Sequence, residues 1–369
     1  MKKTKIIHVV KGRADPNTLN GVNKWIHNVS TVQKKRGIDV EVWGITNKIN
    51  NNKHNHIYKL NLLKQNQVLN FLDKKIINNK QYLKKKIIFH FHSVFIYDFY
   101  KISKKIQNFG IKWILSPHGG YASSKNFILK YFYKKIFENK LIEGASLIHA
   151  IAKSDIINST KTKYGIAHNG VAYKNKYKKN YSYSSRLRIN YCGRINIKQK
   201  GLDILIASLH SLKQNGIKVK LDIIGDGNDK KELKNIVNNL NLGNNVKFYG
   251  VKFNKEKDDI IKKSDVFIHC SRWEGMPLSV LESAMLAMPL IVSKQTNLAK
   301  YVKNGKAGYI INNLTVSELN KKIKTILKDK INKKLIYKGV SARKMALKYF
   351  SWENTVSLLN KNIYSKIYK

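Results

Sequence analysis

Glu274 and Glu282 flank a proline in an arrangement that predicts a binding site for a phosphorylated ligand. Proline suits the first turn of a helix, where its missing N–H is no loss, so we expect a helix to begin near Pro277. Glu274 then lies in the preceding loop and Glu282 in the second helical turn. The N–H groups of Met276 and Leu278 at such a helix start can bind a diphosphate. A carboxylate one turn further along can accept hydrogen bonds from sugar hydroxyls.

Two other interpretations of these glutamates stay open. Acidic residues near a helix start are often solvated surface groups that interact with the helix dipole. Two nearby carboxylates could also be the acid and base of a hydrolase, but that chemistry depends on a separation between carboxyl groups that the sequence does not supply.

Two cations, Arg194 and Lys200, stand six positions apart between Gly193 and Gly201. The charge that develops on a departing diphosphate can be neutralised by an arginine fork and a lysine ammonium without a metal ion. The alternative is a pair of solvated cations on a basic surface.

The elements that must position these residues follow a repeated rhythm of short apolar runs and longer segments of helical period. Such a rhythm is typical of an α/β protein with doubly wound parallel sheets, in which loops at the carboxyl ends of strands bind ligands. We therefore predict one domain over 1–172, a polar linker over 173–186 and a second domain over 187–347. The predicted strands are Lys5–Val10, Val40–Trp43, Ile87–His90, Trp113–Ser116, Leu147–Ala150, Ile189–Cys192, Lys220–Ile224, Asn245–Tyr249, Val266–Cys270 and Leu290–Ser293.

The helix Gly201–Leu212 is predicted from its apolar spacing, which leaves Arg194 and Lys200 on a loop after a strand. The only cysteines, Cys192 and Cys270, lie beside apolar segments and predict reduced thiols in a cytoplasmic protein. Neither a signal peptide nor a membrane span is expected.

The chain carries 71 Lys+Arg against 22 Asp+Glu, a formal net charge of +49. Such a charge attracts nucleic acid, anionic lipid or a phosphorylated substrate, although a general bias toward Lys, Asn and Ile explains it as well. Nucleic-acid-binding proteins concentrate their charge on a face or a tail, whereas these lysines are dispersed. No specific nucleic-acid partner is therefore expected, and a basic nucleic-acid-binding protein stays as the alternative.

The segment Glu274-Gly-Met-Pro-Leu…Glu282 resembles the E-x7-E motif of the retaining glycosyltransferases of family 4, of the glycosyl transferases group 1 type. The resemblance implies the GT-B fold, with two Rossmann-like domains that face a central cleft. By it Glu274 faces the donor sugar, Gly275, Met276, Pro277 and Leu278 bind the donor, and Glu282 faces the ribose hydroxyls. One departure is Ala287, where the family usually has glycine.

Four further motifs carry the resemblance. Arg194 and Lys200 match the family's G-R-x5-K-G phosphate clamp, and Gly21 matches the second residue of its double-glycine loop. Asn20 replaces the first glycine, and asparagine tolerates left-handed backbone angles. His118 matches the histidine that contacts the donor sugar, so that catalytic roles fall to His118 and Glu274. The segment 348–369 resembles the helix that crosses back to the first domain.

The implied reaction moves a hexose from a nucleoside diphosphate sugar to an acceptor hydroxyl with the anomeric configuration kept. The nucleotide sugar is a co-substrate, and neither a cofactor nor a metal is expected. His90 and His92 alternate like metal ligands but have no cysteine or carboxylate nearby in sequence, so we predict no metal site. By analogy the acceptor is a lipid-linked oligosaccharide of a bacterial surface polysaccharide, such as O-antigen or capsule. A catalytically silent scaffold of the same fold is the third hypothesis.

The basic, aromatic segment Lys125–Lys140 allows two interpretations that we hold as equal. It could lie on the anionic inner face of the plasma membrane, which would make the protein a peripheral membrane protein. It could instead pack its aromatic rings into the first domain.

Overall fold

The computed structural model describes residues 4–16, 18, 20–47, 56–79, 82, 86–122, 127–156, 162–181 and 184–368. The chain divides into two compact units. Unit 1 consists of Met1–Asn169 and Trp352–Lys369, and unit 2 of Gly170–Ser351. No helix within the described ranges is both long and apolar enough to cross a bilayer.

Unit 1 is built on a parallel sheet of seven strands in the order β3-β2-β1-β4-β5-β6-β7. These strands are β1 (Lys5–Lys11), β2 (Asp39–Ile45), β3 (Lys59–Leu63), β4 (Ile87–His92), β5 (Lys112–Ser116), β6 (Leu147–Ala150) and β7 (Tyr164–Ile166).

Unit 2 is built on a parallel sheet of six strands in the order β10-β9-β8-β11-β12-β13. These strands are β8 (Leu187–Cys192), β9 (Val219–Ile224), β10 (Val246–Gly250), β11 (Val266–His269), β12 (Leu290–Ser293) and β13 (Gly308–Ile311).

Helices alternate with the strands in both units. They are α1 (Gly21–Lys35), α2 (Val68–Leu72), α3 (Tyr97–Gln107), α4 (Phe127–Tyr133), α5 (Asn139–Glu143), α6 (Ile197–Lys200), α7 (Leu202–Gln214), α8 (Lys230–Asn239), α9 (Asn254–Lys262), α10 (Leu278–Met285), α11 (Ala299–Asn304), α12 (Val316–Ile331), α13 (Leu335–Tyr349) and α14 (Trp352–Asn362). Two π-helical turns, Asp73–Ile77 and Lys134–Glu138, extend α2 and join α4 to α5.

The predicted fold class is confirmed, and each of the ten predicted strands is a strand of the structure. Because helices cover both faces of a parallel sheet, its strands are continuous apolar runs that are recognisable in the sequence. The three strands that were missed, β3, β7 and β13, lie at or next to sheet edges and are three to five residues long. Their apolar runs are interrupted or bounded by Asn61, Gly165 and Gly308, so they do not stand out.

The strand order reverses direction at one place in each sheet, between β1 and β4 in unit 1 and between β8 and β11 in unit 2. Loops that leave neighbouring strands there diverge to opposite faces and open a crevice at the carboxyl ends of the strands. In unit 2 the segments that follow β8 and β11 carry the donor-site residues predicted for that unit.

Two segments differ from the prediction. Lys200 does not lie on a loop, because α6 forms a helical turn of its own and Gly201 separates it from α7. The predicted linker is attached to unit 2: the Lys178 ammonium donates to the carbonyls of Lys262 (3.0 Å) and Ser264 (2.7 Å), and the Tyr181 hydroxyl donates to that of Ala287. Residues 182 and 183 of that linker lie outside the described residues.

Helix α14 belongs to unit 1, where it packs against α1. The Arg36 guanidinium donates to the Ser357 hydroxyl at 2.9 Å, and the Asn362 amide donates to the Ile166 carbonyl at 2.8 Å. Unit 1 is therefore completed by residues from the far end of the chain.

Candidate functional site

The Glu274 carboxylate is the centre of a polar cluster in unit 2, in the loop between β11 and α10. Its Oε2 forms an ion pair with the Lys200 ammonium, and it lies 3.4 Å from both the His269 ring and the Ser271 hydroxyl. Glu274 and Lys200 are 74 positions apart in sequence. The turn at the switch point of the sheet brings together two residues that the sequence had assigned to separate motifs.

The loop that carries Glu274 is held by its backbone. The Asn297 amide donates to the carbonyls of Glu274 (2.8 Å) and Gly275 (3.0 Å). The Ser293 hydroxyl at the end of β12 donates to the Ser271 carbonyl at 2.6 Å. Because both ends of the loop are fixed by side chains of the neighbouring strand and its following turn, the carboxylate has a defined position.

Electrostatics keep the Glu274 carboxylate ionised. Burial opposes its ionisation, but the positive charge of Lys200 and the hydrogen bond from His269 outweigh that effect and lower the pKa of Glu274 to about 2. Burial also lowers the pKa of the His269 imidazole. At neutral pH the site therefore contains a carboxylate that can only accept hydrogen bonds.

Lys200 is fixed by the close approach of its backbone to β11. Gly201 has φ +63°, and a Cβ atom there would lie 2.2 Å from the Cys270 carbonyl oxygen. The Cys270 thiol, which is buried and reduced, lies 3.4 Å from the Lys200 carbonyl. Only glycine fits this left-handed turn against a neighbouring backbone, so the glycine explains how the ammonium reaches Glu274.

Arg194, the other predicted clamp cation, has an exposed side chain. Its guanidinium donates to the Gln199 amide oxygen at 3.1 Å, and its carbonyl accepts from the Tyr191 hydroxyl at 2.9 Å. Arg194 therefore occupies the loop after β8, and no contact of the described residues joins it to Lys200.

Helix α10 begins where the sequence predicted. Pro277 is its N-cap, Leu278 its first residue, and no acidic side chain occupies the first turn. The Glu282 carboxylate in the second turn lies 2.7 Å from the Lys257 ammonium of α9. Burial opposes the charge on Lys257, but Glu282 raises the pKa of Lys257 above its ordinary value. Met276 and Pro277 are buried, and Gly275 has open space at its Cα.

In unit 1, Gly21 opens α1 after β1. Asn20 is the N-cap, and its amide oxygen accepts from the N–H of Val22 at 2.9 Å. Asn20 has φ −80°, so its tolerance of left-handed angles is not used here, and helix capping explains the residue instead. Leu19 lies outside the described residues.

His118 follows β5 and adopts a left-handed backbone with φ +51°. The next residue, Gly119, has φ +75°, and its N–H donates to the Asp155 carboxylate at 2.8 Å. The His118 Nε2 atom lies 3.0 Å from Nδ1 of His92. A strained backbone that is anchored by a buried acid gives the ring a defined orientation.

Three histidines come together at the switch point of unit 1. Ring nitrogens of His8, His90 and His92 lie within 4.8 Å of one another, a spacing that could hold a metal ion. In the structure each of these six nitrogens is instead engaged in a hydrogen bond to a neighbouring side chain. The sequence pattern indicated His90 and His92 on β4 but not His8. The contact of His8 with these residues depends on the pairing of β1 with β4.

The acidic pair Asp258 and Asp259 lies on α9 and interacts with lysines. Asp258 is 2.6 Å from the Lys174 ammonium and Asp259 is 2.9 Å from that of Lys262. The two carboxylates point to different partners rather than toward one site.

Four residues near the predicted site residues were missed from the sequence. Three of them are 23 to 36 positions from the residue that they contact, His269 is five positions before Glu274, and none belongs to a recognisable spacing. They are Lys257, His269, Asn297 and Asp155.

Comparison with known proteins bears on unit 2 most directly. Residues 174–342 match the family model of the glycosyl transferases group 1. A UDP-Gal:alpha-D-GlcNAc-diphosphoundecaprenol alpha-1,3-galactosyltransferase of Escherichia coli is 38% identical over 90 residues, which is 24% of this chain and 23% of the relative. The capsular polysaccharide biosynthesis glycosyltransferase CapM of Staphylococcus aureus is 27% identical over 232 residues, 58% of this chain and 59% of the relative. The matches thus span between about a quarter and three fifths of these relatives.

The fold is shared over nearly the whole chain. The structure of Anabaena Alr3699/HepE in complex with UDP and glucose superposes with a TM-score of 0.74 at 15% identity, over 98% of this chain and 99% of that one. The chain has the GT-B fold, with two Rossmann-like parallel-sheet units, and residues 174–342 are similar to the glycosyl transferases group 1.

Proposed function

We propose that the protein is a retaining glycosyltransferase of family 4 that moves a hexose from a nucleoside diphosphate sugar to an acceptor hydroxyl. The observation that carries the proposal is the ion pair between Lys200 and Glu274 at the carboxyl ends of β8 and β11. In the ligand-free protein each charge neutralises the other. A diphosphate competes for the ammonium and releases the carboxylate to accept hydrogen bonds from the sugar.

The diphosphate has three sources of positive potential in unit 2. Lys200 supplies a point charge, Arg194 an exposed fork, and the start of α10 a set of N–H groups without an acidic competitor in the first turn. These groups stabilise the leaving diphosphate as the glycosidic bond to it breaks. Gly275, Met276, Pro277 and Leu278 form the backbone that approaches the donor.

The ribose is assigned to Glu282. Its carboxylate accepts from Lys257, and we propose that it also accepts from the vicinal hydroxyls of a bound ribose. Lys257 orients this carboxylate, so the pair acts as a unit in nucleotide binding.

We assign the hexose to Glu274, and by the family resemblance a role toward the donor falls also to His118 and Gly21. The acceptor hydroxyl attacks the anomeric carbon on the face from which the diphosphate departs, and a phosphate oxygen of the leaving group takes the proton. The anomeric configuration is therefore kept. Since Lys200 and Arg194 supply the positive charge, turnover is expected to be insensitive to EDTA.

The acceptor that we propose is a lipid-linked oligosaccharide of a bacterial surface polysaccharide. Two similar proteins support this class: the E. coli relative is named for a diphosphoundecaprenol acceptor, and CapM for capsular polysaccharide biosynthesis. A lipid-linked acceptor requires the enzyme to work at a membrane surface.

The segment 127–143 is suited to such a surface. One side of it exposes Leu129 (73%), Phe132 (57%) and Ile136 (49%) together with lysines, and the other side packs Tyr133 and Phe137 against rings of unit 1. The packed rings bear out the packing interpretation for one face, and the exposed face supports the membrane interpretation as a proposal. Lys125 and Asn126 at its start lie outside the described residues. We propose peripheral contact with the anionic inner face of the plasma membrane.

Donor screening tests the proposal. UDP- and GDP-hexoses are added to the purified protein, and thermal stabilisation and hydrolysis of the donor are measured. We expect the melting temperature to rise with the sugars of one nucleotide. We also expect slow hydrolysis of that donor, with the α-anomer of the free sugar detected first by NMR. Salt-dependent binding to duplex DNA without a shift from any nucleotide sugar would instead favour a nucleic-acid-binding protein.

Charge-neutral substitutions separate the roles of the two glutamates. Glu274→Gln should lower kcat at nearly unchanged nucleotide affinity, and Glu282→Gln should weaken nucleotide binding more than it lowers kcat. Glu232→Gln, at an exposed position on α8, is the matched control and should change neither. Wild-type turnover in Glu274→Gln would show that catalysis depends on a different site, and absence of turnover in the wild type with every donor would identify a silent scaffold.

A further inference from the structure

Unit 1 contains a cluster of five histidines at the carboxyl ends of its central strands. His8, His90, His92 and His149 are buried, and His118 is partly buried beside them. The buried indole of Trp25 covers the cluster, with ring centroids 5.1 Å from His92 and 5.3 Å from His118. So many buried imidazoles are costly unless each nitrogen has a partner.

One end of the cluster has an unambiguous hydrogen bond. The Ala167 carbonyl oxygen can only accept, and it lies 3.0 Å from Nε2 of His149, so Nε2 carries the proton. Nδ1 of a neutral His149 must then accept from the Ser116 hydroxyl, 2.6 Å away. Because that hydroxyl has a single proton, its oxygen accepts from Nε2 of His90, which is also at 2.6 Å.

The same reasoning continues into the C-terminal segment. His90 has its proton on Nε2, so its Nδ1 accepts from the Tyr364 hydroxyl at 2.9 Å. The Tyr364 oxygen then accepts from the amide nitrogen of Gln33 at 3.4 Å, the longest bond of the series. This contact orients the Gln33 amide, so that its oxygen faces His8.

The oriented amide determines the protons of the remaining rings. The Gln33 oxygen accepts from Nε2 of His8 at 2.8 Å, so Nδ1 of His8 accepts from Nε2 of His92 at 2.8 Å. Nδ1 of His92 then accepts from Nε2 of His118 at 3.0 Å. Only one arrangement of protons satisfies every contact with neutral rings, and burial lowers the pKa of each of these histidines.

We propose that this continuous series of hydrogen bonds, from the Ala167 carbonyl to His118, fixes His118 as the tautomer protonated on Nε2. Its Nδ1 is then a permanent acceptor, and it is the one nitrogen of the five rings with no protein partner among the described residues. His8, His92, Gln33 and Tyr364 are positioning residues. The proposal rests on the proposed function, in which His118 contacts the donor sugar: the ring accepts from a sugar hydroxyl and does not donate to one.

The series has a consequence for substrate specificity. An acceptor nitrogen requires a hydroxyl that donates to it. A sugar in which fluorine replaces that hydroxyl has no proton to donate, so the fluorinated donor should be used more slowly than the hydroxyl donor by wild-type protein.

The test uses the full chain labelled with ¹⁵N-histidine. In the wild type the Nδ1 resonance of His118, assigned by its loss in His118→Gln, should be that of an unprotonated imidazole nitrogen and Nε2 that of a protonated one. Tyr364→Phe removes a link that does not touch His118, and it should convert the His118 signals to a mixture of tautomers and lower kcat roughly fivefold.

Tyr368→Phe is the matched control. Its hydroxyl donates to the Ile87 carbonyl at 2.6 Å in the same terminal segment, outside the series, so its loss should leave the His118 signals unchanged. Equal changes in the two variants, or protonated Nδ1 in the wild type, would overturn the proposal. So would one tightly bound metal ion per chain that is lost in His8→Gln, because a metal takes the lone pairs that the hydrogen bonds need.

The NMR readout does not depend on turnover. A fixed His118 tautomer in a protein that uses no nucleotide sugar would leave the hydrogen-bonded series in place and refute the glycosyltransferase assignment alone.

Discussion

The ammonium of Lys257 in α9 lies 2.7 Å from the carboxylate of Glu282 in α10, and the two side chains are 8% and 23% exposed. Glu282 was predicted from the sequence as a site residue, whereas Lys257 was not distinguished from the many other lysines. The orientation of Glu282 therefore depends on α9, which is separated from α10 by β11.

Lys257→Met should therefore weaken nucleotide binding about tenfold, because it leaves a partly buried carboxylate without its cationic partner. Calorimetric titration with UDP and GDP measures the change. Lys255→Met removes an exposed lysine of the same helix and should leave the affinity unchanged. Equal affinity in both variants would show that the pair has no part in the nucleotide site.

Gly201→Ala tests the backbone turn that places Lys200. The substitution forces alanine into φ +63° and puts a Cβ atom against the Cys270 carbonyl, so both stability and turnover should fall. Gly216→Ala is the control: it has φ +70° and open space, so it should cost only the roughly 1–2 kcal/mol of the left-handed conformation. Urea unfolding compares the two variants. A smaller loss in Gly201→Ala than in Gly216→Ala would contradict the close approach.

Continuous apolar runs and local motifs are the features that could be predicted from the sequence. The strands of both sheets, the start of α10 and the place of Glu282 in its second turn all depend on residues close together in the chain. The contacts within the site do not. Lys257 and Asn297 reach their partners through strand order and loop conformation, and a lysine or asparagine without a local spacing pattern gives no signal in one sequence.

Acid should destabilise unit 1 before unit 2. Burial lowers the pKa of His8 and His149 to about 4 and that of His118 to about 3, against 6.5 for the free side chain. Below pH 6.5 these histidines become protonated in the unfolded chain but stay neutral in the folded protein. The free energy of unfolding is thus complete above pH 6.5 and falls toward pH 4, by roughly 1.4 kcal/mol per pH unit for each such histidine.

Hydrogen exchange at pH 7 and pH 5, corrected for intrinsic rates, checks this expectation. Peptides of β4 should lose protection more than peptides of β9, which serve as the internal control. Parallel losses in both units would mean that the buried histidines do not govern acid sensitivity.

The exposed face of the segment 127–143 should bind anionic membranes. At low salt the wild type is expected to sediment with phosphatidylglycerol-containing vesicles. It is not expected to sediment with neutral vesicles. Leu129→Ser with Phe132→Ser should reduce the bound fraction at least tenfold, because each exposed apolar side chain that enters the interface contributes about 1.5–3 kcal/mol when buried.

Tyr337→Ser with Val340→Ser provides the comparison, since these side chains are exposed apolar groups on α13 of unit 2. Binding that falls equally in the two double variants would indicate general surface adhesion by a basic protein. That result would contradict the proposed contact of the segment 127–143 with the membrane.

The return of α14 to unit 1 also determines the order in which the chain can fold during synthesis. Unit 2 is continuous in sequence, whereas unit 1 is completed only by Trp352–Lys369, although most of it is made first. Until Tyr364 arrives, the rings of His90 and its neighbours have an open end. A stop codon shortly before Tyr364 would therefore leave unit 1 without this contact although nearly all of its sheet had been made.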